Sequence, residues 1–437
     1  MSGTEHARLQ EKFSFGIKEH RAGRLQKARQ VYKKILKASP QYVDVIHMLG
    51  LLEHQSGKNE TAVSLLNRAV EQGPASAELF TNLGSALQAQ GAFSEAIDAF
   101  RKAIGINPRF ALAYNNLGNA LRAGGDVDAA LDAFRQAIRV APDFALAYYN
   151  LGDLLHAQGR EDEAIASMKR ALALEPEFAD ACNSLATMLM EQGAMDEARG
   201  LFERTLQLDN ENTSARHMLA ALEGHTTKSA PAGYVVGLFD GCAAYFDRHL
   251  VEELGYTVPR NLHKLVSQLP GTEQQELDVM DLGCGTGLCG PLFRGMARTM
   301  VGVDLSPGML ARAGERKLYD KLVRDDITNE LRKYNNAYDL ILAADVFIYV
   351  GRLDQVFEAT TRTLRPGGLF AFSIETESGG EDYVLRPSGR YAHSVAYIRR
   401  LANAVGLREV GLEESVLRMD KGQPIDGYIV VLEKPVE

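Results

Sequence analysis

The first half of the chain repeats one pattern of small, apolar and polar positions with a constant step of 34 residues. Each copy has two apolar stretches of helical periodicity with a glycine between them. A small residue recurs in the first stretch, at Gly16, Gly50, Gly84, Gly118, Gly152, Ala186 and Ala220. An alanine recurs in the second stretch, at Ala28, Ala62, Ala96, Ala130, Ala164 and Ala198. A fixed period of this length predicts stacked supersecondary units.

Each recurring residue has a mechanical reason. The small residue and the alanine allow two antiparallel helices to approach closely. The intervening glycine, at Gly23, Gly57 and each later equivalent, suits a turn that needs a positive φ. Prolines such as Pro40 and Pro142 end the second helix of a repeat. The pattern predicts an all-α solenoid over 1–224, with six helix pairs over about 9–212 and a capping helix over 213–223.

A different pattern begins after Gly224. Residues 225–234 are small and polar and include Pro231, which predicts a linker. Over 235–437, short β-rich apolar runs alternate with helical stretches, which predicts an α/β domain with a parallel sheet. The predicted strands are 277–282, 299–303, 338–344, 369–374 and 428–432. The predicted helices are 288–296, 307–319, 353–364 and 395–405.

Composition excludes several classes of protein. The net charge of −9 over 437 residues argues against DNA binding, and the basic stretch between Lys12 and Lys37 is interpreted as a solvated helix face. No apolar run is long enough for a membrane span or resembles a signal peptide, so we expect no membrane partner. The four cysteines lack metal-ligand spacing, which predicts free thiols, no metal and a cytoplasmic location.

The candidate chemistry lies at the end of the first predicted strand, in the glycine loop Asp281–Gly287. A dinucleotide-binding loop would have a third glycine where this chain has Leu288. Asp281 would repel a pyrophosphate but would suit a ligand with an ammonium group. Asp304 ends the next predicted strand, where a carboxylate binds ribose hydroxyls of either kind of cofactor.

The repeats resemble the tetratricopeptide repeat family, whose stacked helix pairs form a groove for protein or peptide partners. Asn82, Asn116 and Asn150 recur two residues before the repeat glycine, with Asn119 and Asp153 close by. This series is similar to the asparagine ladder that binds peptide backbone in O-GlcNAc transferase. The alternative is that these side chains bridge neighbouring helices within the solenoid.

The second half resembles Rossmann-like class I S-adenosyl-L-methionine-dependent methyltransferases. The matching motif residues are Asp281, Gly283, Gly285, Gly287 and Asp304. The resemblance implies adenosine contacts from Leu305, Ser306 and Met309 and adenine contacts from Asp326 and Ile327, with Asp325 as a neighbouring alternative. It also implies that the segment 238–247 forms a lid that contains Tyr245, although a buried amphipathic face explains the same pattern.

The sequence defines the residues that would bind the methyl acceptor less clearly. Asp345 follows the strand 338–344, which borders the methyl group in this family, and His393 and Tyr391 lie where the family builds acceptor pockets. His393 is a candidate base, and Tyr391 is a candidate stacking or hydrogen-bonding group. The alternative for both is a loop whose polar groups form hydrogen bonds with one another. The chain lacks the motifs of enzymes that methylate DNA bases, so DNA is not an expected acceptor.

Three functions fit the sequence. The first is a methyltransferase whose repeats recruit a protein or peptide substrate. The second is a methyltransferase of a small molecule or biosynthetic intermediate, with the repeats docking a partner protein. The third is a scaffold that binds the methyl donor without turnover.

Overall fold

The structure, a computed structural model, describes residues 3–240, 246–247, 250, 254–270, 272, 276–420 and 422–436. The chain forms two compact units, Met1–Met188 and Leu189–Glu437. Among the helices that the structure describes, none combines the length and the apolar character that crossing a membrane requires.

The repeat region is entirely helical, as predicted. Its helices are α1 (Gly3–Arg21), α2 (Leu25–Ala38), α3 (Val43–Gln55), α4 (Asn59–Gln72), α5 (Ala77–Gln88), α6 (Phe93–Ile106), α7 (Ala111–Ala123), α8 (Val127–Val140), α9 (Ala145–Ala157), α10 (Glu161–Leu174), α11 (Ala179–Glu191), α12 (Met195–Leu208) and α13 (Thr213–Leu222). These are six consecutive pairs followed by a single helix.

The recurring small residues allow the two helices of a pair to pack closely. A Cβ built on Gly84 would lie 2.6 Å from the ring of Phe100, and one on Gly118 would lie 2.5 Å from the ring of Phe134. The turn glycines all have positive φ, for example 73° at Gly57. The pattern therefore specifies both the contact between the helices and the turn that joins them.

The segment predicted as a linker packs onto other parts of the second unit. The N–H of Ala230 donates to the carbonyl of Tyr349 over 2.9 Å, and the N–H of Arg352 donates to the carbonyl of Lys228 over 2.8 Å. Residues 228–230 are therefore fixed by backbone hydrogen bonds.

The second unit contains a seven-stranded sheet of order β3-β2-β1-β4-β5-β9-β8. Its strands are β1 (Leu277–Leu282), β2 (Ala297–Asp304), β3 (Lys321–Arg324), β4 (Tyr338–Ala343), β5 (Leu364–Glu375), β8 (Arg408–Asp420) and β9 (Gln423–Glu433), and a hairpin is formed by β6 (Tyr383–Leu385) and β7 (Tyr391–His393). The strands β1 to β5 pair in parallel, whereas β9 is antiparallel to β5 and β8. All five predicted strands are present, but the sheet is mixed, and β3, β8 and the hairpin were not predicted.

Both faces of the sheet are covered. On β4, Leu340 and Leu342 belong to one apolar core, and Ile341 and Ala343 belong to the other. The alternation follows from the two-residue period of a strand and explains its uninterrupted apolar sequence. The helices are α14 (Ala232–Asp240), α15 (Val258–Ser267), α16 (Gly290–Phe293), α17 (Pro307–Glu315), α18 (Ile327–Leu331), α19 (Asp354–Thr363) and α20 (Val395–Ala404).

Candidate active site

The carboxyl ends of the parallel strands bring the predicted motif residues to one edge of the sheet. Asp281 on β1 pairs with Gly302 on β2 and with Leu342 on β4. The glycine loop after β1, Asp304 at the end of β2 and Asp345 after β4 therefore share this edge. In open sheets of this kind, ligands bind at such an edge.

The glycine loop has a backbone conformation that residues with a side chain rarely adopt. Gly283, Gly285 and Gly287 have φ values of 59°, 53° and 85°. A Cβ on Gly283 would lie 2.6 Å from Val346, the residue after Asp345. A Cβ on Gly285 would have no described atom within 4 Å. The loop thus packs against the segment after β4 at Gly283 and leaves an open space at Gly285.

Asp281 is a buried carboxyl with one oxygen in use. Its Oδ2 accepts a hydrogen bond of 2.7 Å from the Tyr319 hydroxyl. Its Oδ1 is also buried and has no hydrogen-bond partner among the residues that the structure describes. Burial raises the pKa of Asp281 to about 7, and the Asp304 carboxylate adds to the effect, whereas the Tyr319 bond and the Cys289 thiol oppose it. A cationic group at Oδ1 would satisfy the free oxygen and stabilise the ionised form.

Asp304 is held by the backbone. Its Oδ2 accepts from the N–H of Gly285 over 2.9 Å, and its Oδ1 accepts from the N–H of Ser306 over 2.8 Å. Burial raises its pKa, and these backbone bonds lower it. Each carboxylate oxygen has a second lone pair, so the fixed carboxylate is able to accept two further hydrogen bonds from a diol.

The predicted adenosine-side residues lie around this carboxylate. Ser306 is buried and caps α17, where its hydroxyl accepts from the N–H of Met309 over 3.0 Å. Met309 and Ile327 are buried, and Leu305 is half-buried. These residues are able to supply an apolar wall for a ring.

The Asp325–Asp326 pair follows β3 directly, and β3 ends beside Asp304, because Arg324 pairs with Asp304. Asp326 caps α18 by accepting from the N–H of Thr328 over 2.9 Å. Asp325 forms an ion pair of 2.7 Å with Lys333. Both carboxyls therefore have local partners, and the predicted contact of Asp326 with adenine stays a prediction.

The predicted lid is described only in part, and Tyr245 lies outside the described residues. Asp240, at the end of α14, accepts from the hydroxyl of Ser306 and from the N–H of Gly308 over 3.2 Å. Asp247 accepts from the hydroxyl of Thr286 in the glycine loop. This segment therefore contacts two cofactor-side loops, and sequence analysis missed both of its carboxylates.

Asp345 combines an unusual backbone with a buried ion pair. Its φ is 60°, and its N–H donates to the Ser373 hydroxyl over 2.8 Å. Its Oδ2 accepts from Nη1 of the buried Arg418 over 2.6 Å. Its Oδ1 is buried and has no partner within the described part of the chain. Arg418 lies on β8, which was not predicted, so sequence analysis could not find this pair.

The other two acceptor-side candidates have structural contacts. His393 is fully buried, and its Nε2 lies 3.0 Å and 2.9 Å from the carbonyls of Val350 and Gly351. Nε2 therefore carries the proton, and burial lowers the pKa of His393 to about 4. Tyr391 is also fully buried, and its hydroxyl bonds to Thr227 over 2.5 Å. The Nδ1 of His393 is buried and has no partner among the described residues, and the predicted base role of His393 and the predicted stacking or hydrogen-bonding role of Tyr391 stay predictions.

In the repeats, two predicted ladder residues bond to the preceding repeat. The Nδ2 of Asn82 donates to His47 Nε2 over 2.8 Å, and burial lowers the pKa of His47, which keeps it an acceptor. The Nδ2 of Asn150 donates to Asn115 Oδ1 over 2.8 Å, and both residues are buried. These contacts match the alternative that the asparagines bridge helices within the solenoid.

The remaining ladder residues are less uniform. Asn116 donates to Ser85 over a long 3.4 Å, and Asp153 forms an ion pair of 2.6 Å with Arg122. The Oδ1 of Asn119 is buried and lacks a partner among the described residues. The ladder thus contains both internal bridges and an unused acceptor.

The comparisons with known families separate the two halves of the chain. Residues 279–368 match a family described as a methyltransferase domain. Residues 47–109 and 115–173 match a family described as a tetratricopeptide repeat, and residues 155–222 match another family of the same description.

The curated relatives match part of the second half. The malonyl-(acyl-carrier protein) O-methyltransferase of Pectobacterium atrosepticum is 33% identical over 97 residues, which cover 22% of this chain and 38% of that protein. The ubiquinone biosynthesis O-methyltransferase of Escherichia coli is 25% identical over 140 residues, which cover 29% of this chain and 58% of that protein. The chain therefore spans less than two thirds of these relatives.

Two solved structures each resemble part of the chain. The crystal structure of MamA has 34% identity and a TM-score of 0.34, and the match covers 38% of this chain and 96% of that one. A SAM-dependent methyltransferase from Methanosarcina mazei has 15% identity and a TM-score of 0.33, and the match covers 38% of this chain and 95% of that one. From the family matches, the chain contains tetratricopeptide repeats within residues 47–222 and a methyltransferase domain over residues 279–368.

Proposed function

We propose that the chain is an S-adenosyl-L-methionine-dependent methyltransferase whose repeats recruit a protein or peptide substrate. The observation that carries the proposal is the pair of carboxylates at the sheet edge. Asp281 has a buried oxygen with no hydrogen-bond partner in the described structure, and Asp304 is fixed by two backbone N–H groups. The methyl donor carries an ammonium group and a ribose diol, which are the two groups that such carboxylates bind.

The residues of the edge fit this donor. Asp281 Oδ1 would accept from the ammonium group, and Asp304 would accept from the ribose hydroxyls. The apolar side chains of Met309 and Ile327 would border the adenine, and the open space at Gly285 would admit the ligand close to the backbone. The bound donor supplies a methyl group that is already activated on a sulfonium, so the protein mainly has to orient the acceptor and exclude water.

The repeats supply the reason to propose a protein or peptide substrate. Stacked helix pairs of this type provide an extended binding surface. Within the ladder, Asn82 and Asn150 are bonded inside the solenoid, so they are poor candidates for gripping a peptide. The free Oδ1 of Asn119 is the better candidate, since it is able to accept from a backbone N–H.

A second candidate function is the methylation of a small molecule or biosynthetic intermediate. The names of the two curated relatives favour it, since one is a malonyl-(acyl-carrier protein) O-methyltransferase and the other a ubiquinone biosynthesis O-methyltransferase. In that case the repeats would dock a partner protein. The third possibility, a scaffold without turnover, is an outcome of the experiment below.

The test is a transfer assay with methyl-labelled S-adenosyl-L-methionine and a cell lysate, and it compares two matched variants. Asp304→Asn removes one charge at the carboxyl edge of the sheet. Asp339→Asn removes one charge at the opposite end of β4, where Asp339 bonds to Arg365 and to the N–H of Asp278. We expect donor affinity to fall about 100-fold in Asp304→Asn, because hydrogen bonds to charged groups are lost, and to stay within about threefold in Asp339→Asn.

The label is then fractionated by size. Label in macromolecules that is lost in Asp304→Asn would support the protein or peptide substrate. Label confined to small molecules would favour the biosynthetic candidate. Donor binding without any transferred label would favour the scaffold, and equal donor affinity in the two variants would contradict the proposed donor site.

A further inference from the structure

The second free oxygen at the sheet edge belongs to Asp345. Val346, the next residue, lies where a Cβ on Gly283 would meet it, so Asp345 adjoins the glycine loop. Asp281 on β1 pairs with Leu342 on β4, three residues before Asp345. The two carboxyl groups with an unused oxygen therefore lie at the carboxyl ends of adjacent strands.

The fold holds Asp345 in one orientation. A φ of 60° is uncommon outside glycine, although Asp and Asn tolerate it better than other residues. The bond from its N–H to Ser373 and the ion pair with Arg418 fix both the backbone and one carboxylate oxygen. The cation of this ion pair is itself buried, so it holds the bonded oxygen in a fixed place. The other oxygen of the Asp345 carboxyl group remains free and has a defined orientation.

A neighbouring carboxylate provides a contrast. Glu375 is buried and binds the same Arg418, and its other oxygen accepts from Arg386 over 3.1 Å. Both oxygens of Glu375 are therefore in use, whereas Asp345 keeps one. Arginine side chains therefore bind both oxygens of Glu375 but only one oxygen of Asp345.

We propose that Asp345 Oδ1 binds and deprotonates the methyl acceptor, and that the acceptor is consequently a hydroxyl or an amine and not a carboxylate. This inference rests on the proposed function. A hydroxyl or amine has the hydrogen that a free carboxylate oxygen accepts, whereas a carboxylate would meet a like charge. The arginines Arg418, Arg386 and Arg390 are poor binding sites for an acceptor carboxylate, because each already has a carboxylate partner.

The proton balance follows from this geometry. The acceptor oxygen or nitrogen forms a bond to the methyl carbon of the sulfonium donor as the bond from that carbon to sulfur breaks. The sulfur keeps the electron pair of the broken bond. The proton of the acceptor passes to Asp345 Oδ1, and from there to solvent after the product leaves.

Alkali treatment of the labelled product tests the acceptor class directly. Methyl esters of carboxylates release labelled methanol in alkali, whereas methyl ethers and methylamines do not. We expect the label transferred by the wild-type chain to be alkali-stable, and mass spectrometry of the labelled product would then separate oxygen from nitrogen acceptors. Alkali-labile label, or no label from a chain that binds the donor, would overturn the inference.

Two variants test the residue. Asp345→Asn suits the positive φ and keeps an oxygen for Arg418, and we expect transfer to fall about 100-fold with donor affinity within about threefold of wild type. Glu375→Gln disturbs the same arginine without touching the free oxygen, and we expect it to retain most of the transfer rate. Circular dichroism and calorimetric donor binding report whether each variant is folded.

The outcomes separate the two proposals. If Glu375→Gln loses as much transfer as Asp345→Asn, the rate depends on the ion network and Asp345 is not the base. If Asp345→Asn keeps wild-type transfer, the inference is also wrong. Failure of the wild-type chain to bind S-adenosyl-L-methionine would instead remove the proposed function, and with it the inference.

Discussion

The asparagines of the repeats and the carboxylates of the sheet edge are both aligned polar groups, but they use their hydrogen-bonding capacity differently. In the repeats, Asn150 donates to Asn115, and Asn82 donates to His47, so these side chains join one helix to the next. At the sheet edge, Asp281 and Asp345 each keep a buried oxygen without a partner among the described residues. The first arrangement stabilises the scaffold, and the second leaves acceptors for a ligand.

The difference has an energetic meaning. Leaving a buried polar atom without a partner costs about 1–3 kcal/mol, and more for a charged group. A fold tolerates that cost where a ligand supplies the missing partner, which is why such atoms concentrate at binding sites. Two of them at one edge of the sheet are therefore better evidence for a site than a regular series of asparagines.

The largest effect that would sharpen this comparison is expected at Gly283. In Gly283→Ala, the new methyl group would meet Val346 and a φ of 59° would be imposed on alanine, so we expect a loss of about 3 kcal/mol in the free energy of unfolding. Gly285→Ala is the matched control. It has a similar φ of 53° but no described neighbour within 4 Å, so we expect a loss of about 1 kcal/mol.

Urea unfolding followed by circular dichroism measures both glycine variants. Equal losses would mean that backbone conformation alone explains the glycines. The interpretation that close packing of the glycine loop against Val346 requires a glycine at position 283 would then be wrong.

A smaller effect is expected in the ladder. Asn150→Ala leaves the buried Asn115 without its donor, and we expect a loss of about 2 kcal/mol in the free energy of unfolding. Asn116→Ala removes two long bonds of 3.4 Å, one to Ser85 and one from Asn115, from a half-buried side chain, and we expect a smaller loss of about 0.5 kcal/mol. If Asn150→Ala proved as stable as the wild type while partner binding fell, Asn150 would be a ligand-binding residue, and the contrast between the two regions would fail.

Local patterns predicted much of the fold. The step of 34 residues gave the order of the helices, since both the small residue at Gly84 and the turn glycine at Gly57 act on neighbours close in sequence. The five apolar runs located five strands of the sheet because buried parallel strands are continuously hydrophobic. The strand β8 was missed because it lies at the edge of the sheet and its sequence has neither a continuous apolar run nor a strict alternation of apolar and polar residues.

Sequence analysis predicted only those site residues whose position depends on the strand to which they belong. Asp281 and Asp304 lie at the carboxyl ends of the strands β1 and β2, so their place at the edge is a consequence of the parallel order. Arg418 pairs with Asp345 across 73 positions, and no spacing in the sequence signals such a contact. The contacts of His393 with the carbonyls of Val350 and Gly351 could not be predicted for the same reason, because they depend on a hairpin that the pattern does not reveal.

The most direct test of the donor site is the affinity for S-adenosyl-L-methionine as a function of pH, measured by calorimetry on the wild type and on Asp281→Asn. The pKa of Asp281 is raised to about 7, so the carboxyl is largely protonated at pH 6 and gains its charge as the pH rises. We therefore expect the wild type to bind the donor about tenfold more weakly at pH 6 than at pH 7.5, because only the ionised form attracts the ammonium group. Asp281→Asn should bind weakly at both values and lose this dependence. A pH dependence that is the same in both proteins, or an Asn variant that binds as tightly as the wild type at pH 7.5, would contradict the assignment of the donor to this edge of the sheet.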